Sequence, residues 1–77
     1  MEGPGGGRQL TDEDVTILKL LADDWEEHQI AEYLGIADDE LKQRLGRIRL
    51  TLAANTNLGA VVEAIRLGII GPGPSNQ

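Results

Sequence analysis

Between Lys42 and Arg49 the chain carries four cations, Lys42, Arg44, Arg47 and Arg49, and no acid. Side chains of this kind hold phosphate oxygens, and a glutamine among them, Gln43, has the paired donor and acceptor that match an adenine edge. The chemistry such a strip performs is non-covalent recognition of a polyanion. Covalent chemistry has no comparable candidate. There is no cysteine, His28 is the one histidine, and Ser75 is the one serine. The usual nucleophile and base pairings are therefore absent, no catalytic residue or cofactor is expected, and one histidine cannot complete a structural metal site. Acid pairs such as Asp23-Asp24 and Glu26-Glu27 read as a solvated face rather than as catalysts or cation ligands.

Whole-chain charge argues the other way. Seven Lys plus Arg face thirteen Asp plus Glu, giving a net charge of -6 and a pI near 4.5. A nucleic-acid binder is ordinarily basic. The charges are segregated, however: Leu10 to Ile36 holds eight acids against Lys19 alone, while the strip after Leu41 is cationic. A local strip can hold DNA while the opposite face is acidic, with weak affinity per monomer.

The elements that must position this strip are helical. Roughly Leu10 to Ile70, apolar residues recur with helical spacing and no useful period-2 strand is present, so the chain reads as all-α with four helices. The first opens on Thr11-Asp12-Glu13-Asp14, a capping-box pattern with Leu10 as staple, and stops near Asp23-Asp24. A short second helix buries Ile30, Ala31 and Leu34 and ends at Gly35 in a left-handed cap, after which Ile36 turns inward. Asp38 or Asp39 is expected to cap the third, about 38 to 52, whose stripe is Leu41, Leu45, Ile48 and Leu52. That stripe turns Gln43, Gly46 and Leu50 away from the core, with Lys42 and Arg49 on one flank and Arg44 and Arg47 on the other. A loop over Ala53 to Asn57 leads to a fourth helix from Leu58 to Gly68, capped by Thr56 or Asn57. Residues 1–9 and 71–77 are glycine- and proline-rich and are expected to be flexible tails around a single domain over 10–70. No apolar run suits a signal peptide or a membrane span, so a cytoplasmic protein is expected.

Short helix, glycine turn and longer helix spell a helix-turn-helix. The residues Leu10-Thr11, Asp14, Ile17-Leu18, Leu20-Leu21-Ala22, Ile30-Ala31, Leu34-Gly35-Ile36, Leu41-Lys42, Leu45, Ile48, Leu52 and Ala60-Val61 resemble the LuxR/GerE-type helix-turn-helix domain. Region four of sigma factors shares the first three helices, but Ala60-Val61 with Ala64-Ile65 and Gly68-Ile69-Ile70 is closer to the LuxR fourth helix. The resemblance implies a transcriptional regulator whose third helix enters the major groove of double-stranded DNA, with base-facing positions at Lys42, Gln43 and Gly46. Arg44, Arg47 and Arg49 would then lie near phosphates. It also implies a homodimer through the fourth helix, with Leu58, Val62, Ile65, Arg66 and Ile69 at the interface. Size agrees with this, because a chain so short buries only about 60% of its unfolded surface by itself.

Three departures from the family pattern fall on the DNA-facing side. Ala37 and Glu40, with Asp38 and Asp39 between them, replace the family's Ser and Thr at the helix entrance, so Glu40 would repel a phosphate that a hydroxyl would hold. Gly46 presents no side chain and costs about 1 kcal/mol of helix propensity relative to alanine. Thr51-Leu52 and Asn57 lack two cations of the family, and Glu26 replaces a Ser cap. These changes leave a second reading open, a degenerate helix-turn-helix whose acidic surface binds a basic protein of the transcription machinery. Trp25 is expected at the core rim, Tyr33 half-exposed, and His28 on the surface.

Overall fold

A computed structural model describes residues 10–71 of the chain. The expected tails over 1–9 and 71–77 lie outside the described residues, Gly71 excepted. Four helices follow in order, α1 (Asp12–Ala22), α2 (Glu27–Leu34), α3 (Asp38–Thr51) and α4 (Asn57–Arg66), and no strand occurs among the described residues. The all-α architecture read from the apolar spacing is the one observed.

α1 starts as its sequence dictates. The Asp14 amide donates to Thr11 Oγ1 at 3.0 Å and the Thr11 amide donates to Asp14 Oδ2 at 3.1 Å, so two otherwise orphan amides are satisfied reciprocally. Asp14 is buried in the process. α4 starts in the same spirit, with the Gly59 amide donating to Thr56 Oγ1 at 2.9 Å. α3 does not. Its cap is Ala37, whose extended backbone (φ -71, ψ 154) makes Asp38, Asp39 and Glu40 the first helical turn, and no side chain caps the helix. The cap expected at Asp38 or Asp39 thus falls at Ala37, before both. The three carboxylates act instead on the positive end of the helix dipole, each stabilising by a few tenths to about 1 kcal/mol.

All four helices end in one way. Asp24, Gly35, Ala53 and Gly68 each take a left-handed backbone, at φ 69, 72, 56 and 78. In each, the next residue's amide reaches back across the last turn: Trp25 to Leu20 O, Ile36 to Ala31 O, Ala54 to Arg49 O and Ile69 to Ala64 O, at 2.8 to 3.0 Å. Trp25, Ile36, Ala54 and Ile69 are also the residues that then pack against the core. This is the Schellman closure with its accompanying apolar contact, repeated four times. α4 consequently stops at Arg66, and Gly68, expected as the last residue of the helix, is exposed in the turn.

α1 packs on α4 and α2, and α3 packs on α2 and α4. Ile17, Leu18, Ile30, Leu41, Leu45 and Ile48 are fully buried at the centre, with Ala31, Leu52, Ala60, Val61, Ala64 and Ile70 completing the core. Burial of each large side chain contributes about 1.5 to 3 kcal/mol. Trp25 sits at the rim, half-buried, its ring edge-on to Tyr33 with centroids 5.6 Å apart. Tyr33 is more exposed than its sequence position suggested, at 65%.

Two of the four closures use a residue with a Cβ, which disfavours the left-handed region. Ala53→Gly should therefore raise stability by about 0.5 to 1 kcal/mol, read as a higher urea midpoint with unchanged slope. The reverse change, Gly35→Ala, should lower it by about 1 kcal/mol.

Candidate nucleic-acid interface

The turn between α2 and α3 is three residues, Gly35 to Ala37, and α2 packs on α3. The buried stripe Leu41, Leu45, Ile48 and Leu52 then fixes the rotation of α3. Lys42, Gln43, Arg47 and Leu50 are exposed, and Gly46 is half-exposed among them. These residues form one outward face. Leu50, at 81% exposure, is an uncovered apolar group at its far end. Nothing inside the fold demands glycine at position 46, because a Cβ there would meet only Arg49 Nη2 at 3.8 Å, an ordinary contact.

The cations of the strip differ in what holds them. Arg44 is drawn inward. Its side chain is only 23% exposed and is clasped by two carboxylates, Glu13 of α1 and, at 2.9 Å, Glu40 one turn back on α3. Arg49 is half-buried and donates from Nη1 to Asn57 Oδ1 at 2.6 Å, while Asn57 Nδ2 donates to Glu27 Oε2 at 2.9 Å. The chain Arg49, Asn57, Glu27 ties α3 to the starts of α4 and α2. Lys42 lies 3.6 Å from the same Glu27, both side chains being well exposed, so the pair is loose. Arg47 forms no ion pair among the described residues.

The structure therefore separates residues that the sequence placed together. Lys42, Gln43, Gly46 and Arg47 share the open face, whereas Arg44 and Arg49 sit at its borders with partners of their own. The acidic entrance is equally uneven. Glu40 is offset by Arg44, and Asp38 Oδ1 lies 3.7 Å from His28 Nδ1 on the surface. Asp39 has no ion-pair partner among the described residues. The Glu40–Arg44 pair follows from spacing of four on a helix. Glu13, Glu27 and Asn57 carried no such signal, because their partners are far away in the sequence.

On α4, Leu58 (73% exposed) and Val62 lie one turn apart on the outer side, and Ile65 is half-buried beside them. Exposed Arg66 donates to Glu63 Oε1 at 2.8 Å, and that hydrogen bond and charge raise its pKa above the ordinary value. Ile69 is the remaining residue of the expected interface. It is half-buried because the closure after α4 folds it onto the core, and Leu67, which the sequence reading passed over, is exposed instead.

Arg44→Ala should lower stability by about 1 kcal/mol, whereas Arg47→Ala should leave it within about 0.5 kcal/mol, both read by thermal melting. Gly46→Ala should raise it by about 1 kcal/mol, since helix propensity improves without a clash.

No family model matches the chain, and no solved structure matches it. Among curated proteins it is similar to the transcriptional regulatory protein YdfI of Bacillus subtilis (strain 168), 37% identical over 62 residues. That match takes in 80% of this chain and 29% of the relative, so the chain spans less than a third of the relative's length. No helix among the described residues is long and apolar enough to cross a membrane.

Proposed function

We propose that the chain is a DNA-binding domain of LuxR/GerE helix-turn-helix type in a transcriptional regulator, placing α3 in the major groove of duplex DNA. The observation that carries this reading is the outward face of α3. Its apolar seam is fully engaged inside, and Lys42, Gln43, Gly46 and Arg47 are left toward solvent beyond a three-residue turn. The likeness to a relative named a transcriptional regulatory protein supports the same conclusion. Gln43 pairs with an adenine edge, Lys42 with a guanine edge or a phosphate, and Leu50 supplies apolar contact of the kind a thymine methyl takes. Arg47 meets the backbone. Arg44 and Arg49 contribute less directly: Arg44 cancels the charge of Glu40 at the entrance, and Arg49 holds α4 against α3. Gly46 lets the groove wall approach closely.

A second copy completes the reading. Leu58, Val62, Ile65 and Leu67, flanked by Arg66, offer α4 a partner of its own kind, and Ile69 contributes from beneath. A two-fold pair would present two α3 helices to half-sites about 34 Å apart.

A specific observation favours a different partner. With Arg44 occupied and Asp38 and Asp39 at the entrance, the start of α3 is a surface that suits a basic protein segment rather than a phosphate. The two readings part experimentally. On the DNA reading, fluorescence anisotropy with a labelled duplex at low salt shows saturable binding that weakens with salt. Arg47→Ala reduces it and flattens the salt slope by about 0.9. Gly46→Ala weakens binding although it stabilises the fold. Absence of duplex binding, together with protein capture that is lost on charge reversal at Asp38, Asp39 and Glu40, would instead establish the acidic module. Val62→Asp should leave the chain monomeric in sedimentation equilibrium.

A further inference from the structure

Glu27 is placed unlike the other acids of α2. Both of its carboxylate oxygens face donors from other helices: Oε1 lies 3.6 Å from Lys42 Nζ on α3, and Oε2 accepts from Asn57 Nδ2 on α4 at 2.9 Å. Asn57 in turn holds Arg49 through its carbonyl oxygen at 2.6 Å. Two cations and an amide therefore converge, directly or through one bridge, on a single oxyanion. The cap of α2 does not need this carboxylate, because the Glu26 amide is satisfied by Gln29 Oε1 at 2.9 Å. Its side chain remains 41% exposed, so the place it fills opens to solvent beside the outward face of α3.

We propose that Glu27 is an internal counter-ion standing where a phosphodiester of bound DNA would sit, so that Lys42 is released to DNA only when a phosphate displaces the carboxylate. This rests on the DNA-binding reading above. Like charge excludes Glu27 and a phosphate from one position, and the donor set around Glu27 is the kind that accepts either. The contact sets a threshold. Free protein holds Lys42 in an exposed pair that contributes little to stability, and binding must replace that pair before it gains the new one.

The test is anisotropy of a labelled mixed-sequence duplex with the whole chain, across a salt series. Glu27→Gln, which keeps an acceptor for Asn57 Nδ2, should tighten binding about fivefold with little change of salt slope, because Lys42 meets one phosphate in either complex. Lys42→Ala added to Glu27→Gln should erase the gain. Glu32→Gln removes the same charge from an exposed α2 position with no ion pair among the described residues, and should tighten binding less with no change of slope. Should Glu27→Gln fail to fold, Glu27→Ala carries the same expectation. Equal effects of Glu27→Gln and Glu32→Gln, or a gain that survives Lys42→Ala, would overturn the counter-ion role while leaving DNA binding in place. No duplex binding by wild type or either variant would overturn both.

Discussion

The face that this protein turns to solvent is decided by the one it must hide. Leu41, Leu45, Ile48 and Leu52 recur at steps of four, three and four, and all four are buried in a domain whose α2 and α4 pack on α3. Once that seam is buried, the rotation of α3 has no freedom left. Lys42, Gln43, Gly46 and Arg47 must face outward, and Arg44 and Arg49 must fall at the edges, within reach of α1 and α4. The make-up of the exposed face is therefore a by-product of hydrophobic burial.

That geometry also resolves the tension between an acidic chain and a cationic strip. What governs an encounter with a polyanion is the potential near the contact, because charges more than about 10 Å away are largely screened at 0.1 M salt. The acids of α1 and α2 matter mainly where they touch α3. Glu13 and Glu40 take Arg44, and Glu27 takes Lys42 and, by way of Asn57, steadies Arg49. The outer face is thus tempered residue by residue. Arg47 is the cation on it without an ion pair among the described residues.

Local rules made much of this legible. Thr11 with Asp14, Gly35 as a left-handed stop and the seam of α3 are each written within a few neighbouring residues, and each forms as read. The misreadings share a cause. Ala37 caps α3 through backbone geometry alone, and Asp24 and Ala53 adopt conformations that their residue types do not advertise. The polar partners of Arg44, Arg49 and Lys42 come from other helices, and Glu27 meets Asn57 across thirty positions of sequence. Periodicity reports which side of a helix is wet. It does not report which carboxylate waits on that side.

The four matching helix ends have a wider meaning. Each junction spends a single left-handed residue and at once returns an apolar side chain to the interior, so no slack exists between one helix and the next. Adding or deleting a residue at the joint before α3 would break the closure there, because the buried seam holds the rotation of α3 while a three-residue turn has little reach to spare. A change of side chain at one of these bends costs about 1 kcal/mol, whereas a change of length strikes the closure itself. Length, more than residue identity, is what the joints of this chain fix.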